Sequence, residues 1–143
     1  MIDAKVTRLF FNRQAVLAKT DQATRRVLSR FGAFVRRTAR QSIRKRRGSA
    51  APGQPPSSHS GELKRFIYFS YEPTSRNVVI GPARLTAKSG SAPEALEHGG
   101  FTQLSGRRQG RRRRTRIAAR PFMGPAFTKE QSNLPRLWAE SIR

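Results

Sequence analysis

Residues 13–46, RQAVLAKTDQATRRVLSRFGAFVRRTARQSIRKR, decide the fold. Val16, Thr20, Ala23, Val27, Phe31, Phe34, Thr38 and Ala39 recur mainly in steps of three and four, which gathers them on one face of a helix. Arg25, Arg26, Arg36, Arg37 and Arg40 fall mainly elsewhere around the axis. The pattern predicts one long amphipathic helix over 13–46. Asn12 suits its N-cap, with Phe11 placed for a hydrophobic staple. Gly32 costs about 1 kcal/mol relative to Ala inside a helix, so it marks a close contact or a bend. Arg44, Lys45, Arg46 and Arg47 bring cations to the negative end of the helix dipole, and Gly48 is a natural stop.

Working outward, residues 4–11 (AKVTRLFF) read as a short strand, rich in β-branched and aromatic residues. Residues 48–60 (GSAAPGQPPSSHS) are an irregular connection, because that much Gly, Pro and Ser fits neither a helix nor a central strand. Residues 63–81 read as a β-hairpin: Leu63–Tyr71 and Asn77–Ile80 are its strands, and Glu72-Pro73-Thr74-Ser75 turns the chain. Pro93–Glu97 fits a single helical turn closed by Gly99-Gly100, and residues 105–116 form a basic loop, with a further strand conceivable over Thr115–Ala119. Residues 125–142 read as a C-terminal helix that Pro135 kinks or restarts, with Leu134, Leu137, Trp138 and Ile142 on its apolar face. The expected architecture is a single α+β domain spanning 1–143, a long N-terminal helix packed on a small antiparallel sheet, with a C-terminal helix.

The 143 residues are enough for one domain with a real core, since a chain of that size buries roughly 70% of its unfolded surface. Lys plus Arg number 30 against 8 for Asp plus Glu, a net charge of +22, which sets aside an ordinary neutral enzyme and calls for a polyanionic neighbour. The absence of Cys excludes disulfides, a thiolate nucleophile and Cys-ligated zinc or iron–sulfur sites. No run approaches the roughly 18 apolar residues of a membrane span, and MIDAKVTRLFF leads into charge rather than a small-residue cleavage site, so neither a membrane nor a signal peptide is expected. There is no internal repeat.

Catalysis finds little support, and no enzyme activity and no cofactor are expected. His59 lies among Pro and Ser; His98 closes the pattern E-x-x-E-H with Glu94 and Glu97, which lacks a third ligand nearby. Both read better as turn residues. Ser89-Gly90-Ser91 lacks the Lys of a phosphate loop, and neither a nucleophile elbow nor a dinucleotide fingerprint is present. The dominant chemical signal is Arg107, Arg108, Arg111, Arg112, Arg113, Arg114 and Arg116, seven guanidinium groups within ten residues. Their planar forks suit phosphate, and such a run repels itself unless it meets anions. With no aromatic interleaved, backbone contact with duplex DNA is favoured over base stacking, and nothing predicts sequence reading. A solvated loop and an acidic protein partner are the competing readings. Phe66, Tyr68 and Ser70 share one strand face, and Ile67, Phe69 and Tyr71 the other; both faces are apolar, so the long helix covers one and either another subunit or the same domain covers the second.

Three segments then align with a known pattern: Ser58-His59-Ser60-Gly61-Glu62-Leu63 before the hairpin, Ala95-Leu96-Glu97-His98-Gly99-Gly100 after it, and Ala119-Arg120-Pro121-Phe122-Met123-Gly124-Pro125-Ala126 leading into the last helix. In this order and spacing they resemble the neck and minor-tail proteins of tailed bacteriophages, the tail-completion and head–tail joining family. The residues also make sense as turn chemistry: glycines for positive φ and Pro125 for a first helical turn. Glu97 and His98 then hold a turn. The resemblance implies a non-enzymatic virion protein, assembled in the host cytoplasm, that forms a homo-oligomeric ring, a hexamer first among the stoichiometries, around the DNA channel. Its partners would be neighbouring neck and tail-tube proteins and the duplex DNA passing through. Arg107–Arg116 would contact DNA phosphate or a partner, and Phe66, Tyr68, Phe122 and Met123 would contribute to subunit contacts. The arginine run is longer than the resemblance implies. A small basic nucleic-acid-binding protein without sequence specificity is the alternative, and a small nuclease using His59 or His98 the third reading.

Overall fold

The computed structural model describes residues 12–83, 92–105 and 112–141. The strand expected at 4–11, the residues Arg107, Arg108 and Arg111, and Ile142 lie outside them.

Helix α1 runs from Arg13 to Ser42, opened by Asn12, whose side chain accepts a hydrogen bond from the Ala15 amide at 3.1 Å. At 1.5 Å per residue it is about 45 Å long. Its buried stripe is Val27, Phe31, Val35 and Ala39, each at most 2% exposed, with Gly32 beside them. The apolar face expected from Val16 onward therefore begins eleven residues later: residues 13–22 are all exposed, with Val16 and Leu17 nearly half so. Val35, absent from the expected stripe, is among its most buried members.

The helix also ends four residues before the expected Arg46. Ile43 turns to an extended conformation (ψ 113°) while its side chain stays 2% exposed in the core. Arg44 then pairs with Ser57 in a parallel bridge, and the Ser58 amide donates to the Arg44 carbonyl at 3.0 Å. These partners in the 48–60 connection satisfy backbone groups that another helical turn would have used. Arg44–Arg47 consequently leave the helix dipole, and Arg40 is the basic residue of the last turn.

A short helix α2 (Glu62–Arg65) precedes the first hairpin, so residues 63–65 are helical where a strand was expected. Strand β1 (Ile67–Glu72) pairs antiparallel with β2 (Asn77–Pro82), in a register from Ile67 opposite Pro82 to Glu72 opposite Asn77. Residues 73–76 turn the chain, with Arg76 in the left-handed region (φ 52°) and its guanidinium 3.0 Å from the Asp21 carboxylate. Ile67 is fully buried against α1, and Phe69 and Tyr71 are half-buried. Tyr68, Ser70 and Val79 are exposed on the opposite face, so the described residues cover the hairpin on one side only.

After α3 (Ala92–His98), β3 (Gly100–Ser105) pairs antiparallel with β4 (Arg112–Ile117) as a second, separate hairpin. The basic stretch expected as a loop over 105–116 is thus strand from Arg112 onward. The single C-terminal helix expected over 125–142 is two: α4 (Met123–Gln131) begins two residues early, and α5 (Leu134–Ala139) restarts at Pro135, which sits in its first turn where no amide donor is needed. None of the described helices is long and apolar enough to cross a membrane.

The fold is α+β, with α1 between the β1–β2 hairpin and the α4–α5 pair. Phe122, Ala126 and Leu137 complete its core. The Phe31 and Phe127 rings meet edge to face at 5.5 Å, and the Thr38 hydroxyl donates to the buried Glu130 carboxylate at 2.5 Å, which also accepts from Asn133 Nδ2 at 2.9 Å.

Gly32 marks a close contact. A Cβ there would lie 2.8 Å from Val78 Cγ2 and 2.9 Å from Phe69 Cδ2. Gly32→Ala sets a helix-propensity gain of about 1 kcal/mol against an overpacking cost of about 1–3 kcal/mol, and a stiff Val and an aromatic ring give way poorly. The variant is expected to melt below the parent by thermal denaturation; a raised Tm would show that the hairpin yields.

Candidate polyanion-binding arm

The β3–β4 hairpin is an arm whose principal neighbour among the other elements is α3. Gly99, with φ 77°, lets the chain leave α3 and enter β3; a Cβ there would also come within 3.2 Å of the Ala119 amide nitrogen. At about 3.4 Å per residue, six paired residues make an arm about 20 Å long.

Register fixes what the arm displays. Phe101 lies opposite Arg116, Thr102 opposite Thr115, and Gln103 opposite Arg114. Directly paired residues share a face, and residues two apart do so as well. Phe101, Arg114 and Arg116 therefore stand together, and all three are exposed. The Arg114 guanidinium sits 4.4 Å from the centre of the Phe101 ring, a cation–π contact that holds the fork upright at the surface. Thr102 is on the opposite, inner side, 3% exposed.

Of the seven arginines singled out in the sequence, Arg114 and Arg116 are placed on this exposed face, and Arg112 and Arg113 lie further along β4, opposite Ser105 and Leu104. The aromatic partner was not legible, because Phe101 is thirteen residues from Arg114 in sequence and reaches it only through strand pairing. Its ring carries a guanidinium on one side, which leaves phosphate contact by the Arg fork as the simpler chemistry.

The candidate contact residues separate. Phe122 is 1% exposed within its own chain, which removes it from any subunit surface. Met123 is half-buried and packs on the core, and Phe66 is half-buried at the C-cap of α2 rather than on a strand. Tyr68 is 48% exposed with the Arg36 guanidinium 5.8 Å from its ring centre, and it remains a surface residue.

Glu97 does more than hold a turn. Its carboxylate accepts three backbone amides at the start of α4: Phe122 and Met123 on Oε2 at 2.9 and 3.0 Å, and Gly124 on Oε1 at 2.7 Å. It is a capping carboxylate supplied from a distant helix, charge-assisted and placed at the positive end of a helix. The Arg120 amide donates to the Leu96 carbonyl at 2.6 Å, and Arg120 Nε donates to the Ala50 carbonyl at 2.8 Å. Two of the sequence segments noted above thus join directly, and the second also ties down the 48–60 connection. His98 is exposed at the end of α3. Among the described residues no three His, Cys, Asp or Glu side chains gather as metal ligands.

Comparison with protein-family models, with curated proteins and with solved structures yields no match.

Replacing Glu97 separates this role from any chemical one. Glu97→Ala leaves three amides without their acceptor and should cost about 2–3 kcal/mol. Glu97→Gln keeps one acceptor oxygen and should lose about half as much. Urea denaturation of the three proteins checks the order; equal midpoints would remove the cap.

Proposed function

We propose that this chain is a structural, non-enzymatic subunit of a tailed-phage neck, a tail-completion or head–tail joining protein that closes a homo-oligomeric ring around the DNA channel. The observation that carries this reading is the Glu97 cap. Two of the three segments that resemble that family, Ala95–Gly100 and Ala119–Ala126, meet through one carboxylate and three amides. Their motif residues therefore serve assembly of the fold, as expected of a structural component, and Glu97 is occupied by the helix terminus rather than placed for acid–base work. The exposed second face of the β1–β2 hairpin, with Tyr68 and Val79, supplies a surface for a neighbouring subunit. The basic arm supplies one for DNA or for an adjoining ring. In this reading the protein resides in the virion after assembly in the host cytoplasm, with neck and tail-tube proteins as partners.

Exposure of Arg114 and Arg116 favours a second reading, a small basic protein that binds nucleic acid without sequence specificity.

Light scattering after gel filtration of nuclease-treated protein in high salt separates the two. The neck reading predicts a discrete multiple of 16.1 kDa, six-fold first, and the presence of the chain in purified particles. A monomer at every concentration that is also missing from the particles overturns it. Duplex binding by such a monomer, falling steeply with salt, would establish the second reading.

A further inference from the structure

We infer that Arg44–Arg47, braced by the 55–59 segment, form a second phosphate-binding site, separate from the β3–β4 arm, whose ligand is the backbone of a nucleic-acid duplex. The inference stands independently of the neck reading.

The site is built by the early end of α1. Ile43 anchors its side chain in the core, and the backbone beyond it is held at two points. Arg44 forms a parallel bridge with Ser57, in which the Ser58 amide donates to the Arg44 carbonyl at 3.0 Å, and His59 Nδ1 lies 2.5 Å from the Arg46 carbonyl. Pro56 and Ser58 are buried, so the bracing segment is itself fixed to the fold. Against this rigid backbone the side chains of Arg44, Lys45, Arg46 and Arg47 are all exposed. A carbonyl oxygen only accepts, so Nδ1 carries the proton in its contact and His59 serves to brace the Arg46 backbone. Lys45, Arg46, Arg47 and His59 line one open cleft of about 320 Å³.

Among the described residues no carboxylate forms an ion pair within 4.0 Å with Arg44, Lys45, Arg46 or Arg47. The two ion pairs of the described residues, Arg30–Glu140 and Arg76–Asp21, lie elsewhere on α1 and its neighbours. Adjacent cations on a held backbone repel one another, and that repulsion is relieved by an anion at no ordering cost to the main chain. Three consecutive cations around one cleft call for a polyanion, and the planar Arg forks suit the oxygens of phosphate. A duplex backbone fits a chain of net charge +22 that carries a further exposed arginine cluster on the β3–β4 arm, because it presents a continuous row of phosphates.

The test uses the full chain and a fluorescein-labelled 20-base-pair duplex, with anisotropy followed over a range of NaCl. Each phosphate contact adds about 0.9 to the slope of log K against log salt. The triple variant Lys45→Gln, Arg46→Gln, Arg47→Gln should therefore show a slope shallower by roughly 2–3. The pair Arg46→Lys, Arg47→Lys should keep the parent slope. If circular dichroism shows the triple variant unfolded, the three single Gln variants replace it, each expected to lower the slope by about 0.9. An unchanged slope in folded Gln variants overturns the inference. So does loss of binding to poly-glutamate with duplex binding intact, which would assign the cleft to an acidic protein. Arg114→Gln with Arg116→Gln reports the arm separately, and native mass reports the neck reading, so failure of one is not failure of the others.

Discussion

Burial of one stripe of α1, from Val27 through Phe31, Val35 and Ala39 to Ile43, is the constraint on which the rest of the molecule depends. The β1–β2 hairpin lies on one side of that stripe and α4–α5 on another. Fully burying a medium apolar side chain is worth about 1.5–3 kcal/mol, so these few residues carry much of what sets the net stability of a small domain. The missing side chain at Gly32 sets how near the hairpin can come, since Phe69 and Val78 occupy the space a Cβ would need. The helix outside the stripe, residues 13–22, contributes exposed surface instead.

A chain with a net charge of +22 must also place its cations. Several arginines are spent inside the fold. Arg36 Nε donates to the Ile67 carbonyl at 2.8 Å and Arg120 Nε to the Ala50 carbonyl at 2.8 Å, each tying together elements far apart in sequence. Arg30 and Arg37 lie over the Phe34 ring at 5.9 and 5.0 Å. Such contacts use the apolar stem and planar head of Arg, which Lys would not reproduce. Of the others, Arg13, Lys19, Arg25, Arg26, Lys64, Arg65, Lys129 and Arg136 are exposed along the helices, and two further groups stand exposed on the face of the β3–β4 arm and in the segment just beyond α1. Composition alone therefore overstates the cations open to a ligand, and the fold decides which ones they are.

Glu97 shows how one acidic residue acquires a structural task in so basic a protein. Three amides at the start of α4 would otherwise go unpaired, and Phe122 beside them is buried in the core. The carboxylate satisfies them and fixes where α4 begins, which explains why the helix starts at Met123 and not at Pro125. The cap joins α3 to α4 across twenty-five to twenty-seven residues of the same chain.

Much of this was written locally. The period of α1, its Asn12 cap, the hairpin with its turn, the restart at Pro135 and the tight approach at Gly32 follow from side-chain spacing, φ preferences and capping chemistry, which act over a few residues. The sequence by itself therefore determined the α+β class, the succession of long helix, first hairpin and C-terminal helical segment, and the surplus of cations. Only the tertiary structure decided that α1 stops at Ser42, that Arg112–Ile117 is a strand, that Phe101 lies under Arg114, and that Glu97 caps α4. Each of those depends on hydrogen bonds or contacts between residues from seven to twenty-seven positions apart. Such pairings are set by how the chain closes on itself, and no local propensity encodes them.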